Sequence, residues 1–410
     1  MSEPDLLKLV TAGSVDDGKS TLVGRLLYDT KSVLSDQLEA VLRTSAERGL
    51  ADPDLSLLVD GLRAEREQGI TIDVAYRYFA TPRRTFVMAD TPGHVQYTRN
   101  TVTGASTADH AILLADAGKG VLPQTRRHLA VNKLDLVDFA EDAFVRVRDE
   151  FLAHAAELGY PVDQIVAVPV SALTGDNVVT PSERTPWYDG PTLLDRLETV
   201  AAAVLPPLGL RLPVQYVLRP GQGGRRSYAG QLAAGEVRPS DLVVVLPGGS
   251  VTTVERIDTA DGPVEHARAG DAVSLVLADD IDVGRGDLIA AAGARPQLAN
   301  ELDATVCWLS EKPLQAGARM LLKHGTRITP ARVVELCSLF DEQNPAVRHR
   351  AERLDLNDIG CAHVTVADRL PIDDYADCRL TGSFVLIDAQ DGDTLGAGLL
   401  GDTLATRGAA

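Results

Sequence analysis

Gly13-Ser14-Val15-Asp16-Asp17-Gly18-Lys19-Ser20-Thr21 follows an apolar run, Leu6–Val10, and opens a helix-like stretch, TLVGRLLYDT. A strand, a glycine-bounded loop ending in Lys-Ser and then a helix is the order that a phosphate cradle needs. Backbone N–H groups of the loop and of the helix N-terminus hold phosphate oxygens. Lys19 reaches the β- and γ-phosphates, and Ser20 gives its hydroxyl to Mg²⁺. The segment therefore predicts a P-loop at the start of an α/β domain with a parallel-rich sheet.

Four further segments fit one nucleotide. Asp90-Thr91-Pro92-Gly93-His94 ends an alternating apolar segment, Thr85–Ala89. There the Asp90 carboxylate can hold a metal-bound water, and Gly93 lets a backbone N–H approach the γ-phosphate. His94 stands where a residue that orients the attacking water is needed, which makes His94 and Lys19 the candidate catalytic residues. Asn132-Lys133-Leu134-Asp135 supplies, in Asp135, a carboxylate that accepts from two guanine N–H groups that adenine does not present in that arrangement. Asn132 and Lys133 brace that loop and cover the base. Ser171-Ala172-Leu173, after Ile165–Val170, offers backbone donors to the guanine oxygen. Gly69-Ile70-Thr71-Ile72-Asp73 contributes Thr71, a second candidate metal hydroxyl in a loop that orders with the triphosphate. Together the segments predict a site that binds GTP with Mg²⁺ and hydrolyses it, with Ser20 and Thr71 on the metal and Asp90 reaching it through water.

The order of these motifs resembles the translation-factor class of GTPases, the group of elongation factor Tu. Within it, several runs are similar to the GTPase (large) subunit of sulfate adenylyltransferase. They include GRLLYDTKS at Gly24–Ser32, EREQGITIDVAYRYFAT at Glu65–Thr81, HVQYTRN at His94–Asn100 and GVLPQTRRH at Gly120–His128. WYDGPTLLDRLE at Trp187–Glu198, VQYVLRP at Val214–Pro220, LNDIG at Leu356–Gly360 and TGSFVLID at Thr381–Asp388 extend the likeness to nearly the whole chain. The resemblance implies a GTPase domain followed by two antiparallel β-barrels. It implies GTP hydrolysis that drives formation of adenosine 5′-phosphosulfate and pyrophosphate from ATP and sulfate, with adenylyl transfer in a separate small partner subunit. It also places Val15 and Ile70 as apolar residues flanking the catalytic His94. The alternative is a translation-type GTPase that delivers RNA to the ribosome.

Charge separates the two. The 410 residues carry 58 acidic and 40 basic side chains, a net charge of −18. Nucleic-acid affinity comes largely from clustered Lys and Arg, so this balance argues against nucleic acid as the main partner. The last sixty residues hold four Arg and no Lys against eleven Asp and Glu. At 45% hydrophobic and 24% charged, the chain has an ordinary globular composition. No apolar run approaches the ~18 residues of a membrane span, and no signal peptide precedes the first strand, so a cytoplasmic location is expected. Four cysteines, Cys307, Cys337, Cys361 and Cys378, form no C-x-x-C pair and read as reduced thiols.

The pattern predicts a GTP-binding domain over residues 1–205 and a stiff Pro-Pro linker at Leu205–Gly209. Two β-rich barrels are expected over 210–295 and 298–405. Lys323-His324-Gly325-Thr326-Arg327 reads as a solvated turn between strands, and DAQDGDTLGAG lacks the rhythm of a further domain. A second phosphate loop, as a fused kinase domain would bring, is not found.

One interval is short. Forty-two positions separate Asp90 from Asn132, and relatives of this type carry roughly a dozen more, the length of a parallel crossover. The missing helix would lie between QTRRH and LAVNK. Either the chain has lost a helix beside the guanine site, or residues are missing between His128 and Leu129. The intact NKLDLVDF favours the second, which predicts a Cα separation there above the usual ~3.8 Å.

Overall fold

The computed structural model describes residues 6–14, 16–47, 49, 53–59, 74–92, 100, 104–106, 108–119, 128–157, 162–200, 208–219, 225–340 and 348–401. The chain divides into two compact units, Met1–Val204 and Leu205–Ala410.

The first unit is built on six strands, β1 (Leu6–Gly13), β2 (Ala75–Ala80), β3 (Thr85–Asp90), β4 (His110–Asp116), β5 (His128–Asn132) and β6 (Ala167–Pro169). Their order in the sheet is β2-β3-β1-β4-β5-β6. Only β2 runs antiparallel to its neighbour. A parallel sheet is covered on both faces, so its strands read as continuous apolar runs. In β4, Ile112 and Leu114 enter one core with Leu7, Leu9 and Leu26, whereas Leu113 and Ala115 enter another with Val131 and Phe151. Helix α1 (Lys19–Asp29) buries Leu22, Val23, Leu26 and Leu27 in the first core. Besides α2 (Ser35–Glu47), the unit holds α3 (Glu141–Glu157), which turns Phe144, Val147 and Phe151 to the second core, and α4 (Leu193–Thr199). Thr192 caps α4 by accepting from the Asp195 N–H at 3.1 Å.

The shortened interval has a specific form. His128 and Leu129 are consecutive residues of β5, in register with Ile112 and Leu113 of β4. The break expected between them is therefore absent. The β4–β5 connection is residues 117–127, of which 120–127 lie outside the described residues.

The second unit carries two large antiparallel sheets. One starts at Arg211–Pro213 and ends at Tyr216–Leu218, so its first and last strands are neighbours in sequence, and it wraps a core containing Leu212, Tyr228, Val243, Ile257 and Leu275. The other closes into a ring because Arg319–His324 pairs with both Arg327–Phe340 and Ser383–Ile387. Its core holds Val306, Trp308, Leu322, Val333, Val364, Phe384 and Leu386.

DAQDGDTLGAG adds no further domain among the described residues: its end enters Thr394–Leu400, a strand of the second barrel. Its Gly398 lies beneath Phe384, where a Cβ would come within 2.1 Å of the ring. The aromatic side chain fills the place that an apolar residue would occupy. The Lys323–Arg327 segment is the expected turn between two strands, Arg319–His324 and Arg327–Phe340, but its flanks are not fully solvated. His324 is 5% exposed and contacts the Thr381 carbonyl through Nε2 at 2.8 Å, and Arg327 donates to Asp287 Oδ1 at 2.6 Å. Nearby, Arg211 forms a bidentate pair with Asp373 at 2.8 and 2.9 Å and is 2% exposed.

Candidate functional site

Ligands of open α/β sheets bind outside the carboxyl ends of the strands. The described predicted residues gather there: Gly13 ends β1, Asp90 ends β3, Asn132 ends β5, and Ser171 follows β6.

The loop after β1 turns through Asp16 (φ 66°) and Gly18 (φ 89°). At Gly18 a Cβ would come within 2.5 Å of Asn132 Nδ2, so glycine is required by both torsion and space. Asp17 closes the loop by accepting from the Ser14 N–H at 2.7 Å. Its Oδ1 is buried without a hydrogen-bond partner, and burial raises the carboxyl above its ordinary range. Helix α1 then starts with no side-chain cap and no acidic residue in its first turn. An N-terminus left this way presents its N–H groups and dipole to an anion. Thr21 lies in that first turn.

Lys19 is 7% exposed and donates to the carbonyls of Gly13 (3.1 Å) and Ser14 (2.8 Å). An ammonium has three protons, so one remains for an incoming oxygen. Burial lowers its pKa, while Asp90, Asp17 and Asp16 oppose that shift.

Asp90 is fully buried. Its Oδ1 accepts from Thr11 Oγ1 at 2.7 Å and its Oδ2 from Ser20 Oγ at 2.8 Å. Burial raises its carboxyl, opposed by those two hydroxyls and by the charges of Lys19 and Arg77. Thr91, also buried, donates to the Thr11 carbonyl at 2.6 Å and locks β3 to β1 beside Pro92. Paired serine and carboxylate oxygens suit a hard divalent cation such as Mg²⁺.

Asn132 joins three segments. Its Nδ2 donates to the Asp17 carbonyl at 2.7 Å, and its Oδ1 accepts from the Ala172 N–H at 2.9 Å. The Ser171 hydroxyl donates to Asp135 Oδ1 at 2.6 Å, and Leu134 is fully buried below. The Ala172 N–H, expected to face a guanine oxygen, is thus engaged by Asn132. Leu173, 49% exposed, is the next donor in the chain.

Sequence reasoning missed several supporting residues. Asp116, at the end of β4, takes Lys133 Nζ at 3.0 Å and the Gly118 N–H at 2.8 Å. Burial would raise its carboxyl, but these two donors bring it below the ordinary range. Lys133 is thereby held with φ 63°. Arg25 donates to the Ala172 carbonyl at 3.1 Å and also binds that of Leu173. Thr11 was likewise silent in sequence. Each of these contacts depends on strand neighbours that no local motif announces. Val15, Gly69, Ile70, Thr71, Ile72, Asp73, Gly93 and His94 lie outside the described residues.

Residues 4–203 match the elongation factor Tu GTP binding domain family, and residues 301–400 match the GTP-eEF1A C-terminal domain-like family. Sulfate adenylyltransferase subunit 1 of Vibrio vulnificus (strain YJ016) is 49% identical over 97% of this chain and 87% of its own length. The bifunctional enzyme CysN/CysC of Mycobacterium tuberculosis (strain ATCC 25618 / H37Rv) is 50% identical over 96% of this chain and 67% of its own. Among solved structures, the Saccharomyces cerevisiae Ski7 GTPase-like domain bound to GTP superposes with a TM-score of 0.52 at 17% identity, covering 98% of both chains, and shows the shared fold. Among the described residues, no helix is long and apolar enough to cross a membrane. Near-complete coverage at about half identity, over a P-loop unit and two β-barrels, places this chain in the sulfate adenylyltransferase subunit 1 family, within the elongation factor Tu class of GTP-binding proteins.

Proposed function

We propose that this chain is the GTP-hydrolysing subunit of a two-subunit cytoplasmic sulfate adenylyltransferase. Its hydrolysis would drive formation of adenosine 5′-phosphosulfate and pyrophosphate from ATP and sulfate. A separate small subunit is the partner and carries adenylyl transfer. The observation that carries this reading is the 49% identity to a sulfate adenylyltransferase subunit 1 across 97% of the chain. The net charge of −18 weighs against RNA delivery.

The geometry supports a division of tasks among named residues. The loop Gly13–Gly18 and the open end of α1 bind the phosphates, and Lys19 supplies the charge between β and γ. Asp135 accepts from the guanine N–H edge, with Ser171 fixing its carboxylate. Lys133, anchored by Asp116, lies beside the base, and the Leu173 N–H meets the guanine oxygen. Asn132 ties phosphate and base segments together, so the two halves of the nucleotide are placed as one unit. Ser20 and Thr71, with Asp90 through water, would hold Mg²⁺, which when bound neutralises charge on the β- and γ-phosphates. His94 orients the attacking water between the apolar side chains of Val15 and Ile70. Thr71 and Gly93 sense the γ-phosphate, and release of their loops on hydrolysis carries the signal to the partner.

The test is reconstitution. Purified alone, the chain is expected to bind and slowly hydrolyse GTP while making no adenosine 5′-phosphosulfate from ATP and sulfate. Adding the small subunit is expected to restore synthesis. Robust synthesis by this chain alone would overturn the division of labour.

A further inference from the structure

The four cysteines are free thiols, yet the second barrel brings two of them together. Cys337 lies in strand Arg327–Phe340 and Cys361 in its antiparallel partner, Ile359–Ile372. The pairing jumps from Leu336↔Ala362 to Ser338↔Cys361, so Cys337 is the extra residue of a β-bulge. In such a bulge two residues of one strand oppose a single residue of the other, and here Cys337 and Ser338 together face Cys361. Ser338 is the residue directly paired with Cys361, and Cys337 is its chain neighbour, so the bulge sets the two cysteines on adjacent strands at the same level of the sheet. The Cys337 side chain is close enough to act on the Cys361 thiol, whose ionisation it opposes.

Their exposures differ. Cys337 is exposed, whereas Cys361 is 5% exposed. The inner positions of its strand, Ala362 and Val364, belong to the barrel core, so Cys361 alternates to the outer surface beneath its partner. The other two cysteines are placed differently. Cys378 is buried with its sulfur toward the Ala233 carbonyl at 3.9 Å, and Cys307 is paired across the sheet with Ile359 and Ala397.

We propose that Cys337 and Cys361 form a reversible oxidation site, in which a hydroperoxide converts the two thiols into a cross-strand disulfide. In the first step the exposed Cys337 thiolate attacks a peroxide oxygen. The O–O bond breaks, one product oxygen leaves as water after protonation, and Cys337 becomes a sulfenic acid. In the second step the Cys361 sulfur attacks the Cys337 sulfur, its proton goes to the departing hydroxide, and a second water leaves. Two thiols and one hydrogen peroxide thus give one disulfide and two waters, with two electrons passing from the pair to the peroxide. A small thiol reverses the change by exchange.

The surroundings order these steps. Burial pushes the Cys361 thiol up to about 12, with Cys337, Asp303 and Glu335 adding to the effect. Cys361 is therefore a poor first nucleophile, and exposure gives that role to Cys337. Once Cys337 is a neutral sulfenic acid its negative charge no longer opposes ionisation of Cys361. The first oxidation thereby prepares the second thiol.

The experiment treats the whole purified chain with hydrogen peroxide, removes the excess, and counts thiols after denaturation. The count is expected to fall from four to two and to return to four with dithiothreitol. Trypsin without reduction separates the cysteines, with Cys337 in 333–348 and Cys361 in 354–369. Mass spectrometry should find these two peptides joined and two hydrogens lighter than their sum. Cys337→Ser should abolish the linkage and keep all three remaining thiols at the same dose. Cys361→Ser should leave a sulfenic acid at Cys337 that dimedone traps. Recovery of Cys337 as an unlinked sulfinic acid, or linkage to Cys307, to Cys378 or between two chains, would overturn the proposal.

Discussion

Ser20 donates its hydroxyl to Asp90 Oδ2 across 2.8 Å, although 70 positions separate them in sequence. The contact joins the start of α1 to the end of β3, and Thr11 of β1 holds the other carboxylate oxygen at 2.7 Å. The two residues assigned to the metal are thus set against each other by the parallel pairing of β1 and β3. A cation would replace one hydrogen bond and need not assemble the site.

Asp90→Asn should separate stability from function. Burial raises the Asp90 carboxyl in the folded chain. A carboxyl raised on folding contributes fully below its unfolded value, near 3.8, and that contribution is lost as pH rises through the folded value. At pH 7 burial of this carboxyl is therefore a cost. The variant should melt higher at pH 7 by about 2–4 °C per kcal/mol recovered, with the gap narrowing toward pH 4, and should lose metal-dependent hydrolysis. Thermal melts at both pH values check this, and an unchanged gap would contradict it.

Lys19→Ala should remove measurable nucleotide binding. Charge-assisted hydrogen bonds contribute about 1.5–3 kcal/mol each, and this ammonium serves two phosphates. Titration with a fluorescent guanine nucleotide is the measurement. Unchanged affinity would remove Lys19 from the phosphate site.

Asp135→Asn reverses the hydrogen-bond demand at the base edge and should move preference from GTP toward XTP. Competition between the two nucleotides reads the ratio directly. Asp116→Ala should weaken GTP by about tenfold while keeping the GTP-to-XTP ratio, because it frees Lys133 without touching the base edge.

His94→Ala should leave GTP affinity within about twofold and slow single-turnover hydrolysis by about 10²-fold, as expected for a group that acts on the water in the transition state. A loss confined to affinity would assign His94 a binding role.

Arg211→Met should destabilise the second unit by about 3–5 kcal/mol, since it leaves the Asp373 carboxylate without its bidentate partner. Arg211→Met combined with Asp373→Leu should recover most of that loss. Denaturant melts of the unaltered chain and the two variants test the pairing.

The parts legible in sequence were those encoded by neighbours in the chain. The phosphate loop, Asn132–Asp135 and the apolar runs of β1, β3 and β6 each carry their meaning within about ten residues. What escaped depends on partners far away. Asp116 looks like any strand-ending aspartate until β5 brings Lys133 beside it. The Ala172 N–H reads as a ligand donor until Asn132 claims it. Gly396 and Gly398 carry no apolar signal of a strand, because Trp308 and Phe384, on other strands, fill their side of the barrel. His324 lies beside a glycine turn, and only the distant Thr381 carbonyl shows that it is buried.

The central claim is that hydrolysis at this site drives sulfate activation by the partner. The direct measurement is incorporation of radiolabelled sulfate into adenosine 5′-phosphosulfate by the reconstituted pair, followed to its final level with GTP or with a non-hydrolysable GTP analogue. The account predicts a final yield with GTP well above that with the analogue. Equal final yields would show that the subunit binds GTP without coupling its hydrolysis to the reaction.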